Sequence, residues 1–278
     1  MKTKSLVFVL FVVSIISTIT CRFYQTGNPS ENMSLFFSSE FFCFVISLVC
    51  YILMGIIVRF SYKNQGKVDE IFNIGKNYVA AIVSCALGVS VTINGVMILI
   101  KYINGFRSFS PLFEGLFAIL AGPAFVLAGV CYASGKNFFK NDELVALAPV
   151  AWGASRTINI FLRYNMVSNV AWNLSDVLAT IFISLFLLNQ AKCIAQREEL
   201  KKCSKMRLYG YSAAMFILIY TTRTIVTKGK DFLCLPPDNT GIVGVISSVW
   251  IIDVLVAFYI LSVVTGMDIA YKKGLESV

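Results

Sequence analysis

Apolar residues fall in runs of about 20 along the chain, broken by short connections rich in lysine, arginine, asparagine and glycine. A hydrocarbon core about 30 Å thick is crossed by about 20 helical residues at about 1.5 Å each, so each run has the length of one transmembrane helix. The pattern predicts spans near 5–21, 41–60, 77–100, 111–133, 144–164, 170–190, 209–227 and 242–265. No polar stretch between them is long enough for a separate soluble domain. The expected fold is therefore all-α: one integral membrane domain over 1–278, a polytopic transmembrane helix bundle of eight spans. Lys2 and Lys4 ahead of LVFVLFVVSII have the form of a signal peptide, whose removal over residues 1–20 would leave seven spans. The following STITCRF lacks a small-x-small cleavage site, which favours a retained anchor.

The segment Ala148–Asn165, APVAWGASRTINIFLRYN, is the hardest to thread, because it carries a proline, two arginines and two asparagines. Charge asymmetry decides it. If the segment crosses and the N-terminus is cytoplasmic, Lys63, Lys67, Lys136, Lys140 and the basic loop 192–207 share the cytoplasmic side. The outer side then keeps little beyond Arg22, Lys101, Arg107, Lys228 and Lys230. If it does not cross, the loop 192–207 and the C-terminal lysines move outside and the asymmetry collapses. The segment is read as a span, with both termini cytoplasmic.

As a helix, this span has a consistent polar face. Pro149, Trp152, Arg156, Asn159 and Arg163 stand at i, i+3, i+7, i+10 and i+14, while Val150, Ala154, Ile158, Phe161 and Leu162 lie opposite. In the next span Asn169, Asn173, Asp176, Thr180 and Ser184 follow a similar rule. A short link joins the two, so they form an antiparallel hairpin whose polar faces can meet. An arginine within a bilayer costs at least about 2.5–3.5 kcal/mol on insertion scales and is expected to face the bundle and find a partner. Counting residues from the outer ends puts Arg156, Asp176 and Arg223 at a similar depth, which makes Asp176 the natural partner of Arg156 or Arg223. Asp253 falls nearer the midplane without a clear partner, and is a candidate proton or ion site. Glu114 and Asn94 could add to the outer cluster. Two readings stay open. Arg156, Asn159, Arg163, Asn173, Asp176 and Arg223 could line an outward pocket with surplus positive charge, suited to a small anion or an anionic lipid headgroup. The same residues could instead be a buried network that fixes helix register.

Composition narrows the chemistry. Of 278 residues, 57% are hydrophobic and only 14% charged, against roughly 25% charged in soluble domains. The net charge of +9 concentrates in the connections on one side, which points to anionic lipid and away from nucleic acid. The chain has no histidine, which excludes H-E-x-x-H metalloproteases, Ser–His and Cys–His nucleophile pairs and histidine-ligated haem. Eight cysteines include no C-x-x-C, and no metal or cofactor motif is present. Small residues recur every four positions at Ala80, Ser84, Gly88 and Thr92, and in the pairs Ala118/Gly122 and Ala124/Ala128, as close helix packing requires. Pro123 is expected to kink its span.

Pro149-x-x-Trp152-x-x-x-Arg156, Asn173-x-x-Asp176, Asn189-Gln190-Ala191-Lys192 and Arg223 together resemble a pattern in multi-span membrane proteins of Gram-positive anaerobic bacteria. The resemblance covers roughly residues 110–265. It implies a bacterial plasma membrane and carries no assigned activity. The function expected is a non-enzymatic integral membrane protein, a sensory, ligand-binding or accessory component acting with another membrane protein. The alternative is a small-solute, anion-binding transporter with a proton-carrying aspartate. An intramembrane lipid-modifying enzyme ranks last, given the missing histidine and motifs.

Overall fold

The computed structural model describes residues 76–104, 109–140, 143–164, 170–194, 203–228 and 249–276, with scattered positions between Val9 and Ile56. Among the described residues there are six long α-helices and no strand. They are α1 (Tyr78–Ile103), α2 (Phe109–Ser134), α3 (Glu143–Tyr164), α4 (Val170–Ile194), α5 (Cys203–Lys228) and α6 (Val249–Glu276), with a 3₁₀ turn at Phe138–Lys140. The expected spans near 77–100, 111–133, 144–164 and 170–190 correspond to α1 to α4. Of the spans near 5–21 and 41–60 only isolated positions are described, such as Val12 and Leu53, and these are helical; the rest lie outside the described residues.

Each helix packs on its neighbours in sequence, and α6 returns to pack on α1. The six therefore form a closed ring in chain order. In such a ring the third and sixth members stand on opposite sides, as do the first and fourth. Side chains from opposite or alternate helices meet only in the centre, so they decide whether the interior is a channel or a core.

Four helices are long and apolar enough to cross a membrane: α1, α2, Leu144–Leu162 of α3 and Asp176–Ile194 of α4. Eight spans are not reproduced among the described residues. The apolar run of α6 is short, Ile251–Gly266. That of α5 is diluted by Lys205 and Arg207 at one end and Arg223 and Lys228 at the other. The Ala148–Asn165 segment, by contrast, is a membrane-length helix up to Tyr164.

The tightest pair is α1 with α2, where Ser84, Gly88 and Thr92 of the expected ridge all meet α2. A Cβ on Gly88 would lie 2.6 Å from the Gly122 carbonyl oxygen, one on Gly95 would lie 2.8 Å from that of Gly115, and one on Gly129 would lie 2.9 Å from that of Ala81. The contacting positions on each helix are thus seven residues apart, the repeat of two helices crossing at a shallow angle. Glycine at these sites lets the backbones touch. Ser84, from the expected ridge, lies beside this seam, and its hydroxyl donates to the Phe125 carbonyl at 2.6 Å.

The end of the ring where α1, α3 and α5 begin is pinned by two asparagines. Asn77 caps α1, its side chain accepting from the Ala80 N–H at 3.1 Å, while its amide donates to the Ser262 carbonyl of α6 at 3.0 Å. Its backbone N–H donates to the Tyr132 carbonyl of α2 at 2.9 Å. After α2, Gly135 takes φ 71°, a left-handed turn that ends the helix. Asn137 then donates to the Ile194 carbonyl at the end of α4 at 2.8 Å. Lys76, Lys136, Lys192 and Lys205 are exposed at this end. Arg207 is not: the sequence places it in the basic loop 192–207, but it is buried within α5. The helix starts at Cys203, ahead of the apolar run near 209, and carries Arg207 into the bundle. Residues 195–202 and 229–248 lie outside the described residues.

Candidate functional site

The polar face read from α3 points into the ring. Trp152, Arg156 and Asn159 are buried, whereas Ile158, Phe161 and Leu162 on the opposite side are each more than half exposed, as lipid-facing residues of a bilayer helix would be.

Arg156 crosses the centre of the ring. Its Nη2 lies 2.5 Å from Asp253 Oδ1, and the two side chains are only 6% and 4% exposed. Since α3 and α6 stand opposite each other, this bond ties two walls that barely meet by backbone packing. Asp253, which the sequence left without a partner, pairs with Arg156; the sequence had offered Asp176 to Arg156 or Arg223, and the Arg223 side chain lies outside the described residues. The reason for the pairing is depth. A long apolar run fixes its position along the membrane normal only loosely, and counting from 242 sets Asp253 too deep. Here α6 runs from Val249, and Asp253 is level with Arg156. The guanidinium also lies over the Trp152 ring, 5.6 Å from its centroid, a cation–π contact one turn along the same helix.

Beside this pair, Asn159 links α3 to α2. Its amide nitrogen donates to Glu114 Oε2, and its oxygen accepts from the Ser110 hydroxyl at 3.0 Å. On α4, Asp176 and Thr180 are buried, so that part of the second polar face also turns inward. The two faces touch at Thr157 and Ser184, whose hydroxyl oxygens are 3.3 Å apart, and a Cβ on Gly153 would come within 3.0 Å of Ser184 Oγ. The backbones of Arg163, Asn173 and Arg223 lie in α3, α4 and α5, but their side chains are outside the described residues, as is Asn169. Asn94 is half-buried on α1 and joins neither polar network among the described residues.

The position of Asp253 changes the charge of the cluster. Among the described residues it adds a carboxylate to Asp176 and Glu114 beside Arg156.

A second polar network fills the ring toward its other end, and sequence reasoning missed it. Gln190 of α4 donates through Nε2 to the Tyr132 hydroxyl of α2 at 3.0 Å and to the Tyr259 hydroxyl of α6. All three side chains are buried, and they join three alternate helices across the interior. A signal was present, for Gln190 sits in an apolar run and a buried amide needs partners; its partners, two tyrosines distant in sequence, could not be picked out from spacing. Between the two networks lies an aromatic layer. Phe125 packs edge-on against Trp152 and Tyr259, with centroids 5.9 and 5.6 Å away, and Phe186 meets Tyr259 edge-on at 6.5 Å. The interior is thus a polar layer, an aromatic layer and a second polar layer. A groove lies outside, between α1 and α2: it is apolar, about 440 Å³, and lined by Val89, Ile93, Pro123, Leu127 and Val130. Pro123 is exposed on its rim.

No protein-family model, curated protein or solved structure matches the chain.

Proposed function

We propose that this chain is a non-enzymatic integral membrane component, sensory or accessory, in which the Arg156–Asp253 pair is a latch across the ring. The carrying observation is that pair: a 2.5 Å bond between opposite helices, both partners buried. Two charges withdrawn from water cost several kcal/mol each, and their attraction offsets this only while the geometry is kept. A bond of that kind has two discrete conditions, made and broken. Making it holds α3 against α6; breaking it leaves both charges buried and unpaired, so an effector acting in the outer half has a strong lever on helix arrangement.

In this reading the chain is a bundle of eight spans, or seven if residues 1–20 are removed, with both termini cytoplasmic. The lysine-rich end that holds Lys76, Lys136 and Lys192 faces the cytoplasm and its anionic lipids. Helices of 22 to 28 residues are each long enough to cross, α5 and α6 included. The sequence resemblance favours a bacterial plasma membrane.

The test is a double-mutant cycle read as thermal stability in detergent. Arg156→Met and Asp253→Leu alone each lower stability by about 3–5 kcal/mol, the cost of an unpaired buried charge. Together they recover most of that loss. Additive losses would remove the latch.

A second reading is a proton-coupled small-solute transporter in which Asp253 carries the proton. It is favoured by Asp253 Oδ2, which is buried and accepts no hydrogen bond. Reconstituted protein that moves solute with protons, and loses coupling but not fold on Asp253→Asn, would establish it over the first.

A further inference from the structure

Two buried polar atoms on the residues that Arg156 contacts have no hydrogen-bond partner: Asp253 Oδ2 and Trp152 Nε1. Asp253 is 3% exposed and Trp152 1%. Their requirements are complementary. The carboxylate oxygen needs a donor, and the indole N–H needs an acceptor. Leaving such groups unmet costs about 1–3 kcal/mol each, more for the charged one. They come from opposite walls of the ring, and Arg156 touches both, bonded to Asp253 Oδ1 and lying over the Trp152 ring. Phe125 packs edge-on against Trp152 on the side of the aromatic layer.

The charge of a guest is constrained as well. Asp253 is already neutralised by Arg156, so a full cation at Oδ2 or an anion at the guanidinium would leave one buried charge unbalanced. A hydroxyl group has one donor hydrogen and an oxygen that accepts, and carries no net charge. We propose that the outer half of the ring interior binds small neutral hydroxyl-bearing molecules, whose O–H groups donate to Asp253 Oδ2 and whose oxygens accept from Trp152 Nε1. This names the ligand class for the latch and rests on that reading. Water is the smallest molecule with this chemistry and short polyols such as glycerol share it. Where the sequence suggested an anion, the paired charges select a neutral guest.

Trp152 reports on its own site, because the chain has only three tryptophans. The protein carrying Trp172→Phe and Trp250→Phe, in lipid nanodiscs, gives a single ¹⁵N-indole resonance. If the site holds hydroxyl groups, that N–H shows a magnetisation-exchange peak with water in H₂O and is lost in D₂O faster than the buried amides of α3. Titration with glycerol or erythritol separates the sources. A saturable shift of the resonance, absent in the Arg156→Met/Asp253→Leu variant, identifies a polyol site; water exchange without a saturable shift identifies water as the occupant. Both outcomes support the proposal. An indole proton without a water peak that persists in D₂O as long as the α3 amides overturns it. With a coupled Arg156/Asp253 stability cycle, such a dry indole removes only this inference; with an additive cycle, the latch falls too.

Discussion

Gly122→Ala tests the α1–α2 seam most directly, because the structure says what the added methyl would meet. It would overlap the Thr92 hydroxyl and sit 2.7 Å from the Gly88 carbonyl oxygen. The first obstacle is a side chain, held by its own hydrogen bond of 2.8 Å to the Gly88 carbonyl. The second is backbone and cannot turn away. Restoring ordinary contact at that oxygen moves the helices apart by about 0.5–1 Å, and a gap of that size forfeits a quarter to a half of each contact's dispersion energy along the seam. Overpacking of this kind costs about 1–3 kcal/mol. At about 2–4 °C per kcal/mol for a chain of this size, the melting temperature in detergent falls by about 5 °C. Adding Thr92→Ala removes the side-chain obstacle and recovers part of the loss, while the clash with the backbone remains. Gly55→Ala is the control, since its nearest neighbour would be Leu208 Cδ1 at 3.6 Å, and it should melt with the wild type. If Gly122→Ala also melts with the wild type, the backbones of α1 and α2 are not in contact at this level and the seven-residue seam is wrong.

Three other substitutions probe separate parts of the bundle. Gln190→Leu removes the donor shared by the Tyr132 and Tyr259 hydroxyls and should cost about 2–4 kcal/mol in detergent melting; adding Tyr132→Phe and Tyr259→Phe should restore part of it, since paired polar removal costs less than leaving one side unmet. Gly135→Ala forces a side chain into the left-handed conformation at φ 71° and should cost about 1–2 kcal/mol, whereas Gly135→Asn should cost less, because asparagine visits that region more readily. Spin labels at Ile158→Cys and Asn159→Cys should differ in collisional relaxation by lipid-soluble oxygen: strong relaxation at the exposed position and little at its buried neighbour, with the reverse order refuting the inward face of α3.

The hydropathy pattern by itself determined that the chain is helical and built for a membrane, and approximately where α1 to α4 run. It also determined which face of α3 turns inward. Lipid provides no partner for Arg156 or Asn159, so their spacing on one helix is enough to orient it. The same reasoning located Asp176 and Thr180 on α4. It failed where the answer depended on another helix. The apolar runs of α5 and α6 fix no depth, since either can slide a turn along the membrane normal at little cost in hydropathy, so the pairing of Arg156 with Asp253 was not foreseen and Arg207 was set in a basic loop outside the bundle. The small residues four apart on α1 do meet α2, at Gly88 and Thr92; only the crossing of the two helices adds Ala81 and Gly95, seven residues to either side of Gly88. Gln190 is conspicuous in its run, yet its tyrosines lie on helices that meet it only once the ring closes. Sequence sets what each helix must hide from lipid. Closure of the ring, with α6 returning to α1, sets what each hidden group meets, because it brings the third helix opposite the sixth and makes Arg156 and Asp253 a pair.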